Sequence, residues 1–111
     1  MEYALNRCDD AIVVAVRGRV DESSWAAFGV GLSQAIEQAR EAGVEGIVID
    51  LAGLEYMSSR GLRVLTVTKR EAEEAGITVS LSSPNEVMRE ILAISRYDKL
   101  FTITGASQPA H

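Results

Sequence analysis

The chain has 111 residues, enough for one domain and too few for two independent hydrophobic cores. Sixteen acidic residues outnumber eleven basic ones, and the net charge of −5 argues against direct nucleic-acid binding, which needs a basic surface to neutralise phosphates. No apolar run approaches the roughly 20 residues that span a bilayer, so we expect no membrane insertion. Because Cys8 is the only cysteine, an internal disulfide is excluded, and a cytoplasmic location fits.

The first half of the sequence predicts two strands followed by an amphipathic helix. The strands cover residues 3–7 and 11–17, and Gly18 is expected to end the second one. Asp21 is favoured as the N-cap of the helix, and Gly43 is expected to close it in a left-handed conformation. The apolar face of this helix recurs at steps of three and four residues: Trp25, Phe28, Leu32, Ile36 and Ala39.

The second half predicts further strands, each of the first two followed by a helix. A strand over residues 45–51 is apolar on both faces, as expected of a central strand. Asp50 is expected to accept N–H groups and to shape a turn with Gly53 in a short loop, while Gly61 permits close packing. The remaining elements are a helix over 59–75, a strand over 77–81, a helix from Ser83 and Pro84, and a strand or extended segment over 100–103. In the last helix, Val87, Ile91 and Ile94, with Leu92, are expected to face inward.

This order of elements predicts an α/β fold. Strands that alternate with helices imply crossover connections and a largely parallel sheet, here with an antiparallel pair at its start. We expect one domain over residues 1–104, built on a mixed sheet of four to five strands with helices packed mainly on one face. Residues 105–111 are small and polar and are expected to form a flexible tail.

Ser58 and Ser59 stand at the predicted N-terminus of the second helix, where a hydroxyl can cap the helix, act as a nucleophile or accept a phosphate. A nucleophile elbow needs glycine two residues before its serine, where Ser59 has Met57. The only histidine, His111, lies at the end of the chain. We therefore expect no catalytic residue, cofactor or metal site and no enzymatic activity. Capping and phosphorylation both remain open, and two adjacent serines permit one of each.

A family signature is carried by eight residues of the segment 50–65: Asp50, Leu51, Gly53, Tyr56, Ser59, Gly61, Leu62 and Leu65. This segment resembles the signature of STAS domains, the family that includes bacterial anti-sigma-factor antagonists. Residues 18–21 resemble the turn before the family's first helix, and residues 83–103 resemble its closing helix and strand. The likeness therefore covers essentially the whole chain.

The resemblance implies an anti-sigma-factor antagonist, a regulatory protein that binds an anti-sigma serine kinase while it is unphosphorylated. Phosphorylation of Ser59, with Ser58 as the alternative acceptor, would end that complex, and a phosphatase could reset the phosphoserine. The family's contact surface corresponds here to Asp21, Ser58, Ser59, Arg60 and Arg63. Because the kinase brings the nucleotide, the resemblance implies no cofactor for this chain.

Two residues depart from the family pattern and support a rival function within the same fold. Ser58 stands where the family often has aspartate, and Arg60 places a bulky cation where the family has a small residue. Arg60 could pair with a phosphate or obstruct a kinase. The rival is an unphosphorylated STAS scaffold subunit, for example one bound to a transport ATPase, in which Ser59 is only a cap or a contact residue.

Overall fold

A computed structural model describes residues 1–105 of the chain. The predicted tail beyond Gly105, with His111, lies outside the described residues. The elements in chain order are β1 (Glu2–Cys8), β2 (Ala11–Val20), α1 (Trp25–Ala42), β3 (Gly46–Met57), α2 (Ser59–Glu74), β4 (Thr78–Ser82), α3 (Glu86–Ile94), a 3-10 turn (Tyr97–Lys99) and β5 (Thr102–Thr104). This is the order of strands and helices that the sequence predicts.

The five strands form one mixed sheet in the order β1-β2-β3-β4-β5. β1 and β2 are antiparallel, and every other neighbouring pair is parallel, which confirms the predicted mixed sheet with its initial antiparallel pair. A helix bridges each parallel step, as a crossover connection requires. After α3 the chain returns beside α2, where the Tyr97 hydroxyl lies 2.7 Å from the Thr66 hydroxyl.

The core lies between one face of the sheet and the helices α1 and α2, which pack against each other and against the strands. The opposite face, which carries Val13, Val48 and Ser80, is only partly covered. This asymmetry matches the prediction of helices mainly on one side of the sheet. Alternate residues of three strands form the buried face: Ile12, Val14, Val16, Ile47, Ile49, Leu51, Val79 and Leu81.

α1 begins after Ser24, which is its N-cap residue, so the prediction of Asp21 as the cap is wrong. Asp21 instead accepts hydrogen bonds within the turn that precedes the helix. The predicted apolar face is confirmed from Phe28 onward, whereas Trp25 in the first turn is only half-buried. Gly43 closes the helix at φ 72°, in the expected left-handed conformation.

β2 continues through Gly18, where the sequence predicts its end. Gly18 has φ 93°, and a glycine tolerates this value inside an irregular strand because it has no Cβ atom. The pairing of β2 with β3 shifts register at residues 15–17 and again at residues 18–19. At each place β3 carries one residue more than β2, so β3 contains two bulges.

β3 runs on to Met57, and the predicted loop after residue 51 is wrong. Asp50 and Gly53 therefore lie inside a strand, close to its first bulge, and not in a turn that follows it. The longer β2 supplies a partner for the added residues of β3, so extended pairing replaces the loop. Beyond the first part of β3 the buried positions Leu51, Leu54 and Met57 recur at steps of three residues, one step longer than regular alternation.

α3 begins after Asn85, later than predicted, and its buried face agrees with the predicted one only in part. The Asn85 Oδ1 accepts the Met88 N–H at 2.8 Å and so caps the helix. Leu92 is buried as predicted, and Met88 is buried beside it. Val87 and Ile94 are 50% and 84% exposed, so the prediction that these two face inward is wrong. The sequence of α3 contains two apolar stripes one residue apart, one with Val87 and one with Met88. The position of the N-cap at Asn85 decides which of them faces the core.

The last strand, β5, is later and shorter than predicted because the N–H groups of Leu100 and Phe101 donate to the Tyr97 carbonyl oxygen, which keeps both residues in the turn. Phe101, just before β5, is buried and attaches this end of the chain to the core. Among residues 1–105, no helix combines the length and the apolar character needed to cross a membrane.

Candidate functional site

The ends of β2 and β3 meet at the start of α2 and form the frame of the site. Val20 and Met57 are paired in the sheet, and the Ser58 N–H donates to the Val20 carbonyl oxygen at 2.8 Å. This bond attaches the residue before α2 to the end of β2. The turn that follows Val20, which begins at Asp21, is therefore brought next to the serine pair.

Gly61 allows α2 to pack directly on this frame. A Cβ atom at Gly61 would lie 2.5 Å from the Met57 Cγ and 2.7 Å from the Val20 Cγ1, and both of these side chains are buried. Gly61 is not among the glycines with positive φ. Close approach of the helix to the strands is therefore what requires glycine here.

The two serines occupy different environments. Ser58 is the N-cap of α2: its backbone is extended, its Oγ accepts the Gly61 N–H at 3.4 Å, and it is only 9% exposed. Ser59 is the first residue of the helix and is exposed. The side-chain hydrogen bonds formed within residues 1–105 include the Ser58 hydroxyl and not the Ser59 hydroxyl. One serine is thus committed to the fold, and the other presents its hydroxyl at the surface.

Several groups with positive charge lie close to Ser59. The first turn of α2 contains no acidic residue, so its own side chains do not neutralise the partial positive charge of the helix N-terminus. Arg60 and Arg63 add two formal positive charges beside Ser59, and both are exposed. A phosphate group attached to Ser59 would therefore enter a favourable environment.

Asp21 organises the turn between β2 and α1. Its Oδ1 accepts the Ser23 hydroxyl at 2.8 Å and the Ser23 N–H at 3.0 Å, and its own N–H donates to the Ser24 Oγ at 2.9 Å. The hydrogen bonds from Ser23 are the main cause that lowers the pKa of the Asp21 carboxyl below its ordinary value of 3.8. The carboxylate is therefore ionised at neutral pH and holds the shape of the turn.

Arg60 connects α2 to this turn and to the start of α1. Its Nε lies 3.3 Å from the Glu22 Oε1, and its guanidinium carbon lies 5.1 Å from the centre of the Trp25 ring. The side chains of Arg60 and Glu22 are 56% and 73% exposed, so the ion pair alone contributes little free energy. The guanidinium group is positioned by two contacts and remains able to bind another anion.

A groove between α1 and α2 starts at Trp25 and Arg60 and has a volume of about 750 Å³. We call it the α1/α2 groove. Arg60 and Arg63 line it near the N-terminus of α2, and Glu71 lines it further along the same helix. Arg63 takes part in none of the ion pairs formed within residues 1–105. The apolar residues of the groove are Trp25, Ala26, Gly29, Val30, Val64 and Val67.

A comparison with protein families identifies the domain. The family model described as Mlab, STAS domain, matches residues 3–103, which is nearly the whole chain. The chain belongs to the STAS domain family. The resemblance carried by the signature segment 50–65 is thereby confirmed.

Individual relatives of this STAS domain are distant in sequence and similar in fold. BtrV of Bordetella bronchiseptica, named provisionally as an anti-sigma factor antagonist, is 22% identical over 110 residues, covering 99% of this chain and 91% of BtrV. An anti-sigma factor antagonist from Mycobacterium paratuberculosis has a TM-score of 0.77 at 23% identity, covering 95% of this chain and 86% of that one. The phosphorylated form of the Bacillus cell fate determinant SpoIIAA has a TM-score of 0.66 at 21% identity, covering 94% and 92%. The STAS domain therefore has the fold of anti-sigma factor antagonists.

Two residues of the STAS signature lie away from the serines, at the first bulge of β3. The Asp50 Oδ1 accepts the Ala52 N–H at 3.0 Å. A Cβ atom at Gly53 would lie 2.6 Å from the Arg17 Cγ on β2, so this glycine lets the two strands approach. Both contacts shape the strand that leads to Ser58, and the structure brings neither residue into the serine site.

The sequence interpretation missed Glu22, and it placed Trp25 on the apolar face of α1, where the residue is half-buried against the core and also contacts Arg60. Glu22 lies in the connection between β2 and α1, Trp25 is the first residue of α1, and Arg60 is the second residue of α2. Connections that leave neighbouring parallel strands start at the same edge of the sheet, so a carboxylate in one and a guanidinium in the next can meet. That spatial relation was the signal available in the sequence. No group of three or more His, Cys, Asp or Glu side chains suited to a metal ion occurs within residues 1–105.

Proposed function

We propose that this STAS domain is an anti-sigma-factor antagonist that binds an anti-sigma serine kinase and is released when the kinase phosphorylates Ser59. The observation that carries the proposal is the different environment of the two serines. Ser58 is buried as a helix cap, whereas Ser59 is exposed at the first helical position. A kinase needs an accessible hydroxyl, which favours Ser59 over Ser58 as the acceptor.

Phosphorylation at this position acts on recognition and leaves the fold intact. A phosphoserine carries about −1.5 to −2 charges at neutral pH. The N-terminus of α2 and the guanidinium groups of Arg60 and Arg63 accommodate that charge within the free domain. At the interface with a partner, the same charge would have to lose its water or face acidic groups, and both are costly.

The contact surface in this proposal is the Asp21 turn together with the first turn of α2. The bond between Ser58 and Val20 fixes these two segments against each other, so a partner would meet one preformed surface. It would present Asp21, the backbone at Ser58, the hydroxyl of Ser59, and Arg60 and Arg63. The names of the relatives support a partner of the anti-sigma type, and a phosphatase would complete the cycle.

The test combines serine variants with candidate anti-sigma kinases from the source organism. Wild type and Ser58→Ala are expected to incorporate phosphate on Ser59, while Ser59→Ala binds the kinase and incorporates none. Ser59→Asp is expected to weaken binding at least about tenfold, because a charge enters the interface. Mass spectrometry locates the phosphate and calorimetry measures the affinity. Phosphate on Ser58, or equal affinity of Ser59→Asp and wild type, would count against the proposal.

One observation favours the unphosphorylated scaffold as the second candidate. Arg60 is held beside Ser59 by Glu22 and Trp25, so a bulky side chain stands next to the acceptor hydroxyl. In a scaffold bound to a transport ATPase, neither Ser59→Ala nor Ser59→Asp would change the affinity for that partner by more than about twofold. Arg60→Ala would then be the more disruptive change.

A further inference from the structure

We propose that the α1/α2 groove binds a single-chain anionic amphiphile. Its carboxylate or phosphate head group would lie on Arg60 and Arg63, and its hydrocarbon chain would lie along the groove. The inference goes beyond the proposed function and does not rest on it. It would make this domain responsive to a small molecule as well as to a protein partner.

The floor of the groove has the character of a binding site for a thin apolar chain. Val30 and Val67, which line it from opposite helices, are 56% and 45% exposed, although both are large hydrophobic residues. Gly29 also lines the groove, and a Cβ atom there would be in ordinary contact with the nearest methyl group of Val64, 3.8 Å away, so a larger side chain at this position would enter the groove. Exposed apolar residues gathered in a concave surface are typical of ligand sites.

The charges at the two ends of the groove select an anionic head group and one orientation. Arg63 has no ion-pair partner among residues 1–105, and Arg60 has only the exposed pair with Glu22. Guanidinium groups bind carboxylates and phosphates with two parallel hydrogen bonds. From Arg60 to Glu71 the helix rises about 16 Å, which fits a chain of roughly ten to twelve carbons with its uncharged end near Glu71.

The same features favour a thin ligand over the helix of a protein partner. A stable protein interface buries roughly 800 Å² on each side and is anchored by large side chains. Here Val30 and Val67 are the exposed large hydrophobic residues of the groove, and the ring of Trp25 is already covered by the guanidinium group of Arg60. The groove therefore offers little to anchor a helix and enough to seat one alkyl chain.

Trp25 is the only tryptophan of the chain and lines the groove, so its fluorescence reports directly on occupancy. The probes are sodium dodecanoate and dodecyl phosphate below their micelle concentrations, with dodecyltrimethylammonium as the cationic control and acetate and inorganic phosphate as head groups alone. We expect saturable binding of both anionic amphiphiles to the full chain, in fluorescence and in calorimetry. The cationic amphiphile and the bare head groups are expected to bind at least about tenfold more weakly.

Three variants test the geometry. Gly29→Leu fills the groove and is expected to abolish binding while the circular dichroism spectrum is kept, since leucine favours a helix more than glycine does. Arg63→Gln is expected to weaken binding by about tenfold, whereas Arg70→Gln, an exposed arginine of the same helix that does not line the groove, changes it less than about twofold. Equal binding of the cationic and anionic amphiphiles, or unchanged binding to Gly29→Leu, would overturn the proposal.

Absence of saturable binding in both readouts would also overturn it. If Gly29→Leu then weakened the complex with the anti-sigma partner, the groove would instead seat a protein helix. Phosphate incorporation on Ser59 is measured separately from amphiphile binding. Failure of this proposal and failure of the proposed function are therefore distinguishable.

Discussion

Ser58 and Ser59 carry the same side chain one residue apart, yet only one of the two hydroxyls stabilises the fold. We expect Ser58→Ala to lower the free energy of unfolding by about 1 kcal/mol, because the Gly61 N–H loses its acceptor. Ser59→Ala is expected to change it by less than about 0.5 kcal/mol, as for other exposed positions. Urea denaturation followed by circular dichroism measures both values. Equal losses in the two variants would refute the assignment of Ser58 as the structural serine.

The pKa of the Asp21 carboxyl depends on hydrogen bonds from Ser23. Ser23→Ala removes the hydroxyl that is the largest cause of the lowered pKa of Asp21, so we expect the pKa to move up towards 3.8. The pKa is lower in the folded state, so the stabilisation by ionised Asp21 is present above pH 3.8 and is lost as pH falls through the folded value. A carbon-13 NMR titration of the Asp21 carboxyl measures this shift. An unchanged pKa in Ser23→Ala would show that other groups hold the charge.

The same substitution to alanine is expected to have opposite effects on stability at two helical glycines, Gly29 and Gly61. Gly29→Ala in α1 is expected to stabilise the domain by about 0.5–1 kcal/mol, because the new methyl group would be in ordinary contact with Val64. Gly61→Ala in α2 gains the same helix propensity but forces its methyl group against Met57 and Val20, at a net cost of about 1–3 kcal/mol. Thermal unfolding of both variants provides the test. A stabilised Gly61→Ala variant would mean that the strand ends can move away.

The sequence predicted correctly those helices and strands that have a single clear hydrophobic pattern. The face of α1 from Phe28 onward is apolar at helical spacing, and the central strand around Ile47 is apolar on both faces, so both were identified correctly. α3 was misjudged because two apolar stripes overlap in it, and only the cap at Asn85 decides between Val87 and Met88 as the buried residue. The length of β3 depended on its pairing with β2, which no local pattern reveals.

For the candidate site, the sequence predicted residues within one segment but not the contacts between distant segments. The fixed spacing of the signature segment pointed to Ser59, whose role as the phosphate acceptor stays a prediction. The contact of Arg60 with Glu22 and Trp25 joins residues far apart in the sequence and depends on how the two connections emerge from the sheet. Only the folded domain shows which arginine has a partner and which, like Arg63, has none within residues 1–105.

For the whole molecule, the arrangement of the sheet predicts where the native state opens first. β3 is hydrogen-bonded on both sides, to β2 and β4, and its alternate residues are buried, whereas β5 is a three-residue edge strand. We expect amides of residues 47–51 to exchange hydrogen only by global unfolding and those of Thr102–Thr104 to exchange by local opening. Hydrogen exchange with mass spectrometry resolves these segments. Equal protection of β5 and β3 would show that the domain opens as one unit.

The two bulges of β3 determine which of its residues, odd-numbered or even-numbered, face the core. A single extra residue exchanges inward and outward positions for everything beyond it, and this is why Leu54 is buried at an even position while Ile47, Ile49 and Leu51 are buried at odd ones. The second extra residue reverses the exchange, so Met57 is again odd and points into the core. Loss of either residue alone would leave the end of the strand out of phase, whereas loss of both would restore it. The length of the path to Ser58 can therefore change by two residues more easily than by one.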